Sequence, residues 1–195
     1  MKRFICILVG LALLSPLTAL ASNWEIDPVH TTLQFKVRHL MISNVKGGFE
    51  KFSGKLYLDD KDITKSKVDI NIDTASINTN IQKRDDDLRS ANFFEVAKYP
   101  VMTFTSTKVE KAGNGKLKVT GNLTIKGNTR PVVLDVDGPT PEIKDPWGGI
   151  RRGASAATTI DRKDFGLTWN KTMDNGGLIV GDEVAIQLEV EFVKK

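Results

Sequence analysis

Thr32–His39 (TLQFKVRH) alternates strictly: Leu33, Phe35, Val37 and His39 fall on one face, and Thr32, Gln34, Lys36 and Arg38 on the other. Successive side chains of a strand point to opposite faces, so this period of two predicts a half-buried β-strand. The same period returns at Val68, Ile70 and Ile72, at Leu117, Val119, Leu123 and Ile125, at Val132, Leu134 and Val136, and from Val184 to Phe192. Asn114-Gly115 and Gly127-Asn128 supply turns between such runs, which makes the neighbours antiparallel. Trp24 to Pro28 reads as an edge segment, because proline cannot donate to a ladder. Leu40 to Asn44 breaks the alternation and predicts one helical turn. Val45 to Leu58 predicts a long strand bent by a bulge near Gly47-Gly48. Eight or so strands joined mainly by tight turns predict an all-β barrel or sandwich. Strands of about ten residues run roughly 33 Å at about 3.3 Å per residue, which favours tilted barrel strands. The expected fold is therefore an eight-stranded antiparallel β-barrel with one or two short helices. Gly153 to Ala157, all small, would leave room inside such a barrel or pack beneath a helix.

The exception to β-patterning lies between Thr79 and Phe104. Thr79 three residues before Gln82 has the spacing of a reciprocal helix cap and predicts a helix from about Ile81 to Ser90. Ile81 and Leu88 share one face of it with Arg84 and Asp85. One reading is a surface helix plugging a sheet with a local ion pair. The other is a lid whose polar inner face meets the head of an apolar ligand.

The 195 residues, 40% hydrophobic and 27% charged, suit one globular domain. Lys2 and Arg3 precede an apolar run from Phe4 to Leu14, and Ala19-Leu20-Ala21 offers small residues for cleavage. Residues 1–21 are thus expected to be a secretory signal and 22–195 the mature domain. The run is shorter than the roughly 20 residues of a bilayer-spanning helix, so no transmembrane segment is expected in the mature chain. Without Lys2 and Arg3, 26 basic residues face 24 acidic ones, which gives no electrostatic case for nucleic acid. The single cysteine, Cys6, leaves with the signal, so neither disulfides nor thiol chemistry are expected.

His30 and His39 lack the spacing of a metal site, no Gly-x-Ser-x-Gly elbow is present, and Asp85-Asp86-Asp87 reads as solvated helix charge. No catalytic group, metal or cofactor is expected. Phe35, Phe49, Phe52, Phe93, Phe94, Phe104, Trp147, Phe165 and Trp169 supply more aromatic surface than a small barrel wall needs. An apolar pocket with a few placed polar groups is the usual form of a small-molecule site.

A set of stretches remains: Trp24–His30 (WEIDPVH), Phe35–Leu40 (FKVRHL), Gly48-Phe49, Arg84-Asp85 with Leu88–Phe94, Lys98-Tyr99-Pro100, Gly121–Lys126 with Arg130-Pro131-Val132, Asp145–Arg152 (DPWGGIRR) and Asp164-Phe165-Gly166. Together they resemble the YceI-like family of periplasmic lipid- and polyisoprenoid-binding proteins. The chain departs from that family at Asp87, where members often carry histidine. The resemblance implies a lipocalin-like barrel, exported to the periplasm of a Gram-negative bacterium, that holds an isoprenoid or fatty-chain lipid and performs no catalysis. On that basis Phe35, Val37, Phe49, Leu88, Phe104, Phe165 and Trp169 are expected at the ligand, with Arg84 and His39 near its headgroup. Only Phe35 and Val37 rest on alternation. Whether an exposed edge near Trp24 pairs two copies into a homodimer is left open by the sequence. Two rivals stay open: an enzyme acting on the bound lipid, and a stress-protective barrel with a filled interior.

Overall fold

The computed structural model describes residues 21–174 and 176–195. The expected signal segment lies outside them, except that Ala21 opens the first strand. In chain order the elements are β1 (Ala21–Ile26), β2 (Thr32–His39), β3 (Ser43–Phe49), β4 (Phe52–Asp59), β5 (Lys67–Asp73), β6 (Ile77–Asn78), α1 (Gln82–Arg89), β7 (Val101–Gly113), β8 (Lys116–Ile125), β9 (Asn128–Asp137), β10 (Ile143–Lys144), β11 (Ile150–Asp161) and β12 (Val180–Lys194). Short 3-10 turns occupy Ile63–Lys65, Thr74–Ser76 and Arg162–Phe165.

Eight strands close a ring in the order β12, β1, β4, β5, β7, β8, β9, β11 and back to β12, every pair antiparallel. Closure removes the free edges that an open sheet would expose. The fifteen-residue β12 serves two partners on one side: β1 pairs with its last residues and β2 with its first ten. The β2–β3 hairpin thus extends the wall at one end, and β6 adds two residues beside Gly48 and Phe49. The chain from Thr74 to Pro100, with α1, covers this side and is tied to the wall by the Thr74 amide on the Pro100 carbonyl at 2.9 Å.

Four local expectations are corrected. β1 is no edge: it hydrogen-bonds to β4 and β12, and Trp24 is only 1% exposed, so no edge near Trp24 is available to pair two copies. Leu40–Asn44 is not helical but turns the β2–β3 hairpin, with Leu40 and Met41 at φ of 50° and 60°. The long strand from Val45 is two strands broken at Glu50-Lys51. The Thr79–Gln82 cap does not form, because the Asp85 carboxylate takes the Thr79 hydroxyl at 2.5 Å and its amide at 2.9 Å, while Gln82 bonds Asp86. The Thr79 oxygen in turn accepts from Arg84 Nε at 2.7 Å, a charged donor, rather than from a helix-end amide.

Candidate functional site: an apolar lumen

The inward positions of β12 show how the ring is filled. Val184, Ile186 and Leu188 alternate with exposed Glu183, Gln187 and Glu189, yet are themselves only half-buried. Their remaining surface faces a void inside the barrel. Leu33, Phe35 and Val37 line it from β2, Phe49 from β3, Ile72 from β5, Leu123 and Ile125 from β8 and Ile160 from β11, with Leu88, Phe93 and Phe94 roofing it from α1 and the turn beyond. The void leaves ≈ 150 Å³ open to the centre of a water-sized group. A second void of ≈ 100 Å³ continues past Leu188, which borders both; there the small Ala154 and Ala156 supply the room.

Aromatic packing shapes the roof. The Phe35 and Phe49 ring centroids lie 6.1 Å apart, and Phe94 meets Phe49 edge-on at 5.9 Å. Gly47 makes this possible: a Cβ there would stand 2.6 Å from the Phe35 ring and 2.7 Å from the Thr79 methyl. The same bareness at Gly121 takes the Phe104 ring, 2.3 Å from where a Cβ would be.

Only Gln34 and Arg162 are polar among the nineteen residues around the first void. Arg162 is buried, and the guanidinium is fully committed. Its Nε donates to the Gly181 carbonyl at 2.9 Å, Nη1 to the carbonyls of Leu167 and Trp169, and Nη2 to Asp182 at 3.1 Å and the Val180 carbonyl. Burial pulls its pKa below the ordinary arginine value, against the pull of Asp182 and Asp161. The cation therefore fastens the segment 167–181 across the end of the barrel and has no donor left for a guest. A hydrocarbon chain fits this wall; a buried carboxylate would find no counter-charge.

Of the nine residues expected at the ligand, Phe35, Val37, Phe49 and Leu88 line the void. Phe104 and Phe165 are buried in the packing around it and do not line it. Trp169 stacks at 5.2 Å on Phe93, one layer further out. Arg84 is spent on Thr79, Nε to the hydroxyl at 2.7 Å and Nη2 to the carbonyl at 2.9 Å, and is not in the lining. His39 ends β2 opposite Val180, beyond the lining. The lining residues not singled out, above all Val184, Ile186, Leu188 and Arg162, include a perfect alternation on the last strand. That signal names the inner face but not whether the face is filled.

Among the described residues, one trio, Asp27, His30 and Glu191, has ligand atoms within 4.8 Å of one another. Arg151 already supplies the positive charge there, with Nη1 on Asp27 at 2.6 Å and on Glu191, and Nε on Asp145 at 2.5 Å. Hydrogen bonds from His30 and Arg151 hold the Asp27 carboxyl far below the usual carboxylate range. This is an ion cluster on the outer face of the wall, where β11 and β12 pair and β1 ends. No described helix is long and apolar enough to cross a membrane.

A YceI-like domain model matches residues 24–192. The chain belongs to the YceI-like family. A UPF0312 protein of Shewanella baltica is 40% identical over 196 aligned positions, covering 100% of this chain and 99% of the relative. One from Vibrio cholerae is 42% identical over 163, covering 82% and 86%. Among solved structures, BcnA of Burkholderia cenocepacia superposes with a TM-score of 0.72 at 25% identity, covering 85% of this YceI-like chain and 98% of its own. The Campylobacter jejuni YCEI protein gives 0.69 at 38% identity, over 82% and 91%. A polyisoprenoid binding domain from Saccharophagus degradans shares the fold, at 0.65 and 18% identity, over 88% and 98%.

Proposed function

We propose that this barrel binds a long, uncharged apolar chain of isoprenoid or fatty-chain type in its lumen and carries or stores it in the periplasm. The observation that carries the reading is the void itself: a natural core is packed to crystal density, and here Val184, Ile186 and Leu188 of β12 keep part of their inward surface open to the void. An apolar cavity of about 150 Å³ takes a guest the size of benzene, so the first void takes roughly six carbons. Burying six at about 0.8 kcal/mol each contributes about 5 kcal/mol, at the low end of the roughly 4–15 kcal/mol lost on association. Affinity therefore needs the guest to reach into the second void or to keep a contact at the mouth. The periplasmic site rests on the leader-like residues 1–21, and the ligand class draws support from the S. degradans domain of the same fold.

Binding is favoured over turnover because none of the described residues around the first void is Ser, Cys, His, Asp or Glu, and its one cation has no free donor. A filled, purely protective barrel is disfavoured by the same void. Phe35→Asp puts a carboxylate into the lumen with no partner. Uptake of a fluorescent isoprenoid should fall at least about tenfold (about 1.4 kcal/mol) while the β-sheet circular dichroism persists. Uptake equal to the parent protein would contradict the reading.

A further inference from the structure

The β2–β3 hairpin ends in Leu40-Met41-Ile42, and this tip is built against ordinary turn chemistry. Hairpin turns with positive φ are usually made by Asn and Gly, yet Leu40 and Met41 occupy left-handed backbone here, with φ of 50° and 60°. The tip is nevertheless fixed. The Ile42 amide donates to the His39 carbonyl at 3.1 Å, the Leu40 amide to Ile179 at 2.8 Å, and Arg38 Nη2 to the Met41 carbonyl at 2.9 Å. It holds Ile42 77% and Met41 50% exposed, two large apolar side chains set in water at the end of an arm. Backbone strain that surrounding bonds maintain belongs more often to function than to accident.

Charge behind the tip is mostly basic. Lys36 and Lys46 stand directly opposite each other on the outer face of the hairpin, a like-charge pair that weakens a sheet, and Arg38 continues the row toward the tip. Among the described residues none of these three is in an ion pair, whereas twelve other lysines and arginines are. One acid, Glu183, shares this outer face, two residues before the Ala185 that stands opposite Lys36, and leaves the three bases in excess.

A small apolar wedge with unpaired bases set behind it is the pattern of a segment that enters the acyl boundary while its cations meet anionic headgroups. A protein groove would instead call for a broader apolar face with a polar rim. The tip also stands in the right place. Val37 and Val180 line the lumen, and β2 ends at His39, opposite Val180 and two residues or about 7 Å past Val37 at roughly 3.3 Å per residue, so the tip starts at the rim of the lumen. We infer that the Leu40–Ile42 tip, backed by Lys36, Arg38 and Lys46, docks the barrel on an anionic phospholipid bilayer with the lumen's α1 end toward the membrane. This concerns the outer surface and goes beyond the binding assigned to the lumen.

The test is sedimentation of the mature protein with vesicles of mixed phosphatidylglycerol and phosphatidylethanolamine, against phosphatidylcholine alone. The parent should bind the anionic vesicles at least about tenfold more tightly, and less so as salt is raised. Replacing Leu40→Asn together with Met41→Gly gives the turn the residues its backbone favours, so the fold is kept or strengthened while vesicle binding falls about tenfold or more. Ile42→Ser should do the same without touching the strained residues. Lys36→Gln with Lys46→Gln should remove the preference for anionic vesicles. Lumen loading from dispersed fluorescent lipid, measured alongside, should be unchanged in all of them, which separates a failure of docking from a failure of the lumen reading. The inference is overturned if the parent does not bind the vesicles, if the tip variants bind as well as the parent, or if Ile42→Ser instead abolishes a dimer seen by sedimentation velocity, which would give the patch to a second copy.

Discussion

The two ends of β12 are made of the same kinds of residue and do opposite things. Toward its C-terminal end Phe192, 6% exposed, packs with Trp24 and Leu58 and borders only the smaller void, and Arg152 and Lys194 each lie 5.4 Å from the Trp24 ring. Toward its N-terminal end Val184 and Ile186 face a void. What differs is the partner opposite. The packed end meets a tryptophan from β1, covered by Arg152 and Lys194, which both pair with Glu142, whereas the open end meets β2, which pairs correctly but leaves its Phe35 and Val37 around a space. One strand thus shows that apolar alternation specifies a wall, and that only the volume of the facing side chains decides whether the wall encloses a core or a cavity.

The comparison is broken most sharply at Trp24. Trp24→Ala should cost about 3–5 kcal/mol in denaturant unfolding, the usual loss for a large buried aromatic. A loss below about 1 kcal/mol would mean that the packed end does not hold the barrel together. Enlarging a side chain at each end sharpens it. Ile26→Phe, at a buried position of the packed end that borders neither void, overfills it and should cost about 1–3 kcal/mol, while Ile186→Phe enters empty space, leaves stability unchanged or raised, and blocks lipid uptake. Equal penalties at the two positions would remove the distinction. The smallest effect is electrostatic. Asp27, bonded by His30 and Arg151, and Asp145, bonded by Arg151, titrate below their ordinary values, so their stabilisation is present above about pH 4 and is lost as pH falls through the folded values. In Arg151→Met the acid limb of the stability profile should be shallower below about pH 4, with lipid uptake at neutral pH retained. An unchanged acid limb would mean that Arg151 does not hold these two carboxylates in the folded state.

The wall was legible because its signal is periodic: Thr32–His39 and Val184–Phe192 announce their inner faces without ambiguity. The filling was not, because it depends on register. Phe104 crosses the wall to lie on Gly121, a contact that follows from the β7–β8 pairing rather than from either stretch alone. Arg84 shares the inner face of α1 with Asp85, as the spacing requires, but a threonine five residues upstream takes its donors before any guest can. The hairpin tip escaped as well, since Leu-Met-Ile carries none of the turn residues that mark a hairpin. A sequence that breaks local rules hides the element that breaks them.

Native mass spectrometry of the mature protein after exposure to an isoprenoid lipid weighs the central claim most directly. The open end of β12 predicts a stoichiometric lipid adduct on the parent chain that Ile186→Phe, folded and equally stable, does not carry. A parent protein that flies only at its bare mass, or an Ile186→Phe protein that carries the same adduct, would contradict it.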